Sequence, residues 1–354
     1  MTSSLQTNAS PQAAPQILFP AEWAPQSAVQ LTWPRADGDF AKHYDAVERN
    51  FIEIAAAISH YEDVIIGYYL DAATLKQRLV KAGAIAERLH IQYVRSNDVW
   101  ARDHGPITVF RNGQPVHLDF TFNGWGNKFD ASLDNTVTRQ LAEAEILTAP
   151  IETLDFVLEG GGIESDGLGT LLTTERCLLA PTRNPQFCKV QIEQKLKEWL
   201  GLSRVLWLSH GDLIGDDTDG HIDTIARFCN ARTIAYQACD DYNDVHYDDL
   251  KAMERELQAL RTDDGQAYTL VPLPLPAAIY DEDGKRLPAG YPNFLILNGA
   301  VLVPLYGDAK NDPLALDRLR PHFPDRVVIG IDCRALINQY GSLHCVTMQI
   351  PAVT

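Results

Sequence analysis

Two β-prone runs joined by a tight turn, then an amphipathic segment, then one more β-prone run: this order recurs along the chain. Short apolar runs between turn residues indicate strands, and 3.6-residue apolar spacing indicates helices. One unit reads from Phe156-Val157-Leu158-Glu159, turns at Ser165-Asp166-Gly167 and continues through Gly169–Thr173. Its helix follows Asn184-Pro185 with Val190, Ile192, Leu196, Trp199 and Leu200 on the apolar side, and Arg204–Leu208 closes it. The next pairs Ile222–Phe228 with Thr233–Gln237, adds a helix over Val245–Leu260 and ends in Tyr268–Leu273. A third runs Phe294–Leu297, Asn298-Gly299, Ala300–Pro304, a helix over Asp312–Arg320 and Val327–Ile331. A fourth hairpin joins Ile107–Phe110 to Val116–Phe120 at Asn112-Gly113, with a helix over Leu133–Ile146. Asn-Gly suits the left-handed turn that matches strand twist. The first unit is fragmentary: Val29–Thr32, a helix over His43–Ile58, and Val64–Tyr68.

About five ββαβ-like units without a strong sequence repeat imply a closed, pseudo-symmetric α/β assembly. No Pro/Gly/Ser linker divides the chain, and Asp281-Glu282-Asp283-Gly284-Lys285 reads as an exposed loop tip. The expected organisation is a disordered polar tail over residues 1–16 and a single domain over 17–354. With 354 residues, 45% of them apolar, the chain has material for a large core. The N-terminus lacks the basic and apolar regions of a signal peptide, and no apolar run is long enough to span a membrane. A soluble cytoplasmic protein is expected, with a homodimer as the default oligomer. A net charge of −17 argues against nucleic acid and anionic membranes as partners and favours a small cationic ligand.

Six cysteines stand at 177, 188, 229, 239, 333 and 345, with no CxxC pair and no zinc-type spacing. Neither a metal site nor a disulfide framework is expected. Cys177, Cys229 and Cys333 fall in apolar strand-like runs and read as buried core thiols. Cys345, near the C-terminus in Tyr340-Gly341-Ser342-Leu343-His344-Cys345, fits a buried thiol or a nucleophile. His344 would face away from it if the segment is extended.

Three earlier segments carry groups that a thiol needs for chemistry on a guanidinium. Trp100 lies three residues before Asp103, ahead of a strand. A planar, weakly hydrated guanidinium suits an aromatic face plus a bidentate carboxylate, although a buried Trp and a turn Asp give the same pattern. Arg102 reads as an internal ion-pair partner. Glu159 precedes Gly160-Gly161-Gly162, where missing side chains permit close approach, and no phosphate-loop pattern is present. Glu159 is placed either to orient a histidine or in an ordinary turn. Gly220-His221-Ile222-Asp223 reads as the opening of a strand, with His221 and Asp223 on one face. That pair fits a metal site, a general base beside a binding carboxylate, or a core histidine; the lack of other ligand-spaced clusters favours the base. Asp217 and Asp219 fit turn chemistry or a carboxylate reaching a ligand cation.

Together these segments resemble the agmatine deiminase and bacterial peptidylarginine deiminase family of the guanidine-modifying superfamily, from Phe19-Pro20-Ala21-Glu22-Trp23 to His344-Cys345. The resemblance implies a five-bladed α/β propeller of ββαβ units and cofactor-free, metal-free hydrolysis of a guanidinium to a ureido group and ammonia. It places the nucleophile on Cys345, the catalytic histidine on His221, the guanidinium-gripping carboxylates on Asp103 and Asp223, and the acid supporting the histidine on Glu159. Trp100 and Asp217 match substrate contacts, Asp217 through a distal amine. The implied reaction is agmatine to N-carbamoylputrescine through a covalent Cys345 thiouronium. The alternatives are deimination of arginine, peptidyl-arginine or another guanidine, or amidino transfer on the same fold. Two departures bear on the substrate tail: Tyr340-Gly341-Ser342-Leu343 replaces the family's Gly-rich stretch with Asn, and Trp33-Pro34 continues Arg35-Ala36-Asp37 instead of Glu-Arg.

Overall fold

A computed structural model describes residues 16–353. Residues 1–15 of the expected tail lie outside the described residues. Gln16 directly precedes strand Ile17–Leu18, and its N–H donates to Asn112 Oδ1 at 3.0 Å.

The fold is α/β, with five mixed sheets. In four of them, a hairpin supplies an antiparallel pair and the chain returns through helix to a parallel third strand. Ile107–Arg111 and Gln114–Thr121 are followed by helix Val137–Glu143 and strand Ile151–Val157, with Ile17–Leu18 added at the edge. Ile163–Ser165 and Thr170–Thr174 lead to helix Lys189–Leu200 and strand Arg204–Leu208. Ala226–Asn230 and Thr233–Gln237 lead to helix Tyr247–Ala259 and strand Thr269–Leu273. Leu295–Ile296 and Ala300–Leu305 lead to helix Asn311–Leu319 and strand Val327–Asp332.

The fragmentary first unit is completed from the other end of the chain. Thr347–Pro351 pairs antiparallel with Gln26–Thr32, which runs parallel to Asp63–Tyr68 and, through it, to Leu89–Tyr93. No local pattern announces a pairing between residues so far apart.

Two assignments shift. Phe156 and Val157 close the preceding sheet, because Gly160–Gly162 forms a 3-10 turn and the new hairpin starts at Ile163. Ile222–Thr224 is likewise a 3-10 turn, with the strand beginning at Ala226, so His221 and Asp223 do not share a strand face. Asn112-Gly113 turns as expected, with φ of 52° and 79°.

Helix packing follows the apolar spacing. Val47, Phe51, Ile54 and Ile58 of helix Tyr44–Ser59 are fully buried. Burying each such side chain contributes about 1.5–3 kcal/mol. Ile192, Leu196 and Leu200 form the buried stripe of Lys189–Leu200, whereas Val190 is 74% exposed, off that stripe. Cys177, Cys229 and Cys333 are buried, but only Cys229 lies in a strand: Cys177 sits on the short helix Glu175–Leu178, and Cys333 follows the end of strand Val327–Asp332. No helix among the described residues is long and apolar enough to cross a membrane.

Candidate active site

Each sheet contributes to one locus from the residues just before its first strand. Asp103 precedes Ile107, Glu159 precedes Ile163, His221 and Asp223 precede Ala226, Asn293 precedes Leu295, and Cys345 precedes Thr347. A repeated backbone element thus delivers a different side chain from each unit.

Trp100, Asp103, Asp217 and Cys345 line one cavity of about 360 Å³ with Asp39, Asp98, Trp125, Phe129, Thr218, Gln339, Tyr340 and Gly341. No lysine or arginine is among these lining residues. Glu159, His221 and Asp223 lie behind the wall and are buried. The glycine run explains how the layers meet. A Cβ on Gly161 would stand 2.6 Å from His221 Nδ1, 2.9 Å from Asp103 Oδ1 and 3.2 Å from Asp223 Oδ2. Only glycine fits there, and its N–H donates to Asp103 Oδ1 at 3.0 Å.

Asp103 also accepts from Trp125 Nε1 at 3.0 Å. Burial, and then the charge of Glu159, push its carboxyl up to about 7. Asp223 is raised well above the usual range by burial and by Asp103. Its Oδ2 lies 2.8 Å from His344 Nδ1, and its Oδ1 has no partner. His344 Nε2 reaches Glu22 at 2.9 Å. Glu22 in turn pairs with Arg102 at 3.1 Å, as expected of Arg102, and with Arg227. Although burial opposes it, Arg227, Arg102 and the hydrogen bond to His344 hold Glu22 well below the ordinary value, while burial, Arg102 and Arg227 lower the pKa of His344.

The Cys345 thiol lies 3.7 Å from Asp223 Oδ2 and 3.2 Å from Asn293 Nδ2. Burial, Asp223 and Asp103 push it well above the usual thiol range, so it is neutral in the free protein. Residues 343–346 form a turn and not a strand. His344 nevertheless makes its side-chain bonds to Asp223 and Glu22 and none to the thiol.

His221 Nδ1 stands 3.6 Å from Asp103 Oδ1, and its Nε2 has no partner. Burial and Arg183 lower its pKa well below the ordinary value. Glu159 does not hydrogen-bond His221: its Oε1 accepts from Arg183 Nε at 2.8 Å and its Oε2 is unpartnered. Arg183 also holds Asp219, whose φ is 67°. At the outer end, burial and Asp216 push Asp217 up to about 7. Trp100 donates from Nε1 to Asp98 at 2.9 Å, and Gly341 lies flat against its ring.

Asn293, Arg183, Trp125 and the bridging role of His344 escaped the sequence reading. The repeat itself carried a signal for Asn293, which holds the position before a first strand that acids, a histidine and a thiol hold in the other units.

A neutral thiol among buried carboxyls, in a cavity without lysine or arginine, defines a pocket for a cation with a cysteine at its base. Comparison with known proteins agrees. The model of the Porphyromonas-type peptidyl-arginine deiminase family matches residues 18–351. Agmatine deiminase of Stutzerimonas stutzeri is 35% identical over 94% of this chain and 95% of its own. A cysteine-to-serine variant of C. jejuni agmatine deiminase, solved with substrate bound, is 36% identical with a TM-score of 0.88, covering 98% of this chain and 99% of that one. A Porphyromonas gingivalis structure provisionally named arginine deiminase is 52% identical with a TM-score of 0.89, covering 95% and 98%. The chain belongs to the Porphyromonas-type peptidyl-arginine deiminase family and is a relative of agmatine deiminases.

Proposed function

We propose that this protein hydrolyses agmatine to N-carbamoylputrescine and ammonia through a covalent Cys345 intermediate. The observation that carries the reading is the charge of the cavity: Asp39, Asp98, Asp103 and Asp217 line it and no basic residue does. That lining suits a ligand cationic at both ends and offers nothing to an α-carboxylate.

In this reading Asp103 and Asp223 grip the guanidinium against Trp100, and Asp217 faces the distal amine. The arriving charge lowers the thiol's pKa. Sγ bonds to the guanidinium carbon while the thiol proton passes to neutral His221. The C–N bond then breaks, His221 returns that proton to the leaving nitrogen, and ammonia departs. Water next adds to the thiouronium carbon and gives a proton to His221. As the C–S bond breaks, the adduct hydroxyl loses its proton to solvent to form the carbonyl, His221 returns its proton to the Cys345 sulfur, and the ureido product leaves. Asn293 Nδ2, 3.2 Å from Sγ, steadies the thiolate. Glu159, tied to Arg183, stabilises the charged imidazole across a gap that closes in the complex. No step calls for a metal or cofactor.

The five mixed sheets are taken as the blades of a pseudo-symmetric α/β propeller forming one domain over 17–354. The pairing of Thr347–Pro351 with Gln26–Thr32, which joins the two ends of the chain, supports this. A cytoplasmic homodimer remains the expected setting, checked by fractionation and by light scattering.

A second reading, deimination of arginine or peptidyl-arginine, draws on Lys128, bonded to the Asp217 carbonyl, and Lys285, 4.0 Å over the Tyr340 ring. Lys285 offers a carboxylate partner at the rim, and Lys128 would share its charge between such a ligand and Asp219, 2.8 Å away. Ammonia release measured on agmatine, free arginine and a peptidyl-arginine separates the readings. Agmatine should give the highest kcat/KM, with turnover abolished in Cys345→Ser. Preference for either arginine substrate would replace agmatine as substrate, and retained turnover in Cys345→Ser would remove the nucleophile.

A further inference from the structure

Behind the His221 ring lies a thiol that the proposed reaction does not use. Cys177, on the short helix Glu175–Leu178, is fully buried. One ligand atom each from Cys177, Glu159 and His221 lies within 4.8 Å of the others. A Cβ built on Gly162 would sit 3.3 Å from the Cys177 sulfur and 3.9 Å from His221 Cδ2, the ring carbon next to Nε2, so both groups border this glycine. Two of the three groups carry atoms with no hydrogen-bond partner: Glu159 Oε2 and His221 Nε2. Unpartnered buried polar atoms are rare in native proteins, and two in one such cluster point to an unfilled coordination set.

Thiolate, imidazole and carboxylate together suit a thiophilic divalent ion. Zn–S of about 2.3 Å and Zn–N or Zn–O of about 2.0–2.2 Å place tetrahedral neighbours roughly 3.5 Å apart, so the ligands need to close by about an ångström. The thiolate and Glu159 balance the charge of the ion, while Arg183 holds the other oxygen of Glu159 and orients it. A second cluster, Glu22, Glu164 and His344, has similar composition. There the acids are already engaged by Arg102, Arg227 and His344, which leaves no set of free ligand atoms.

We propose that Glu159, Cys177 and His221 form an inhibitory site for Zn²⁺ or a similar thiophilic divalent cation. Binding replaces the thiol proton with the metal and ties up His221 Nε2, so the imidazole can no longer become doubly protonated. The inhibitory effect rests on the role proposed above for His221; the binding does not.

Cobalt(II) separates the two. Cys345→Ser protein titrated with Co²⁺ should develop a thiolate-to-cobalt charge-transfer band that Zn²⁺ displaces, and Cys177→Ser/Cys345→Ser should lack it. A band that persists without Cys177, or no band in Cys345→Ser, overturns the site. With Cys345 intact, Zn²⁺ should suppress ammonia release reversibly by chelator, and Cys177→Ser should raise the inhibitory concentration about tenfold or more, as expected for losing a ligand. Zn²⁺ sensitivity in Cys177→Ser and Cys177→Ala equal to that of the wild type overturns the inhibitory role. If agmatine is not a substrate at all, the cobalt titration still decides the site.

Discussion

Trp125→Phe isolates one hydrogen bond at the clamp. The indole N–H donates to Asp103 Oδ2 at 3.0 Å, and it is one of the few contacts holding that buried carboxyl down to about 7. Phenylalanine removes the donor while keeping an aromatic ring beside Phe122 and Phe129, which meet Trp125 edge-on at 5.0 and 5.6 Å. The positive φ of Trp125, 54°, is equally strained in both residues. A hydrogen bond to a charged group is worth about 1.5–3 kcal/mol. At 1.36 kcal/mol per pKa unit, the Asp103 carboxyl should rise by about one to two units. The direction is upward, because the lost donor favoured the ionised form. Since kcat/KM reports the free enzyme, its acid limb should move from near 7 to roughly 8–9. At neutral pH the ionised fraction then falls from about half to between roughly 1 and 10%, a loss of about 5–50-fold in kcat/KM. On the alkaline plateau the loss should shrink to about twofold or less. The assay is ammonia release from agmatine across the pH range, with thermal melting as a check on folding. A uniform loss at every pH with an unmoved acid limb would refute the reasoning and leave Trp125 as a mere wall.

Gly341→Ala tests the Trp100 wall: the added Cβ would stand 2.2 Å from Trp100 Cζ3, so the ring or the loop must yield by more than an ångström. Because a displacement of that size costs about 10²-fold when it misplaces a substrate, kcat/KM should fall by that order with little change in Tm; unchanged kinetics would show that Trp100 does not position the substrate. Agmatine binding to inactive Cys345→Ser should release protons at mildly acidic pH, since Asp103 and Asp217 are both held up to about 7 when empty and a cation returns them toward ordinary values. Calorimetry in buffers of different ionisation enthalpy measures that release, and identical heats in all buffers would contradict it.

The order of elements was legible because hairpins, helices and returning strands each leave a local pattern. Asn112-Gly113 marked a turn wherever it fell. Registration failed where glycine and aspartate break a run without altering its composition. Gly160–Gly162 and Ile222–Thr224 fold into 3-10 turns that take Glu159, His221 and Asp223 off the sheets to positions behind the cavity wall. The residues at those breaks were still singled out, because a thiol, a histidine and carboxyls announce their own chemistry. Asn293 does not titrate, and Arg183 reads as a surface cation beside a helix start. Their roles exist only once Cys345 and Glu159 are in place. Thr347–Pro351 was equally invisible, since its partner lies at the other end of the chain.

The distribution of cations around the site explains why it should select a charged ligand. Arg102 and Arg227 stand near the clamp but are held by Glu22. Arg183 stands beside His221 but is held by Glu159 and Asp219. Each buried cation is therefore paired one layer behind the cavity. Asp103 and Asp223, whose pKa values burial raises, with Glu159 adding to the first and Asp103 to the second, are left without a protein cation in ion-pair contact. Filling the clamp from within would make it a structural ion pair, with the desolvation cost already offset and nothing to gain from a ligand. Left unfilled, it gains most from the group whose charge is missing. In the reaction proposed above, a guanidinium supplies that charge and offsets the Asp223 and Asp103 repulsion that, after burial, keeps Cys345 protonated. Conversion to a neutral ureido group withdraws it again. The frustration of the empty pocket thus favours substrate over product, and it favours a thiolate only while substrate is bound.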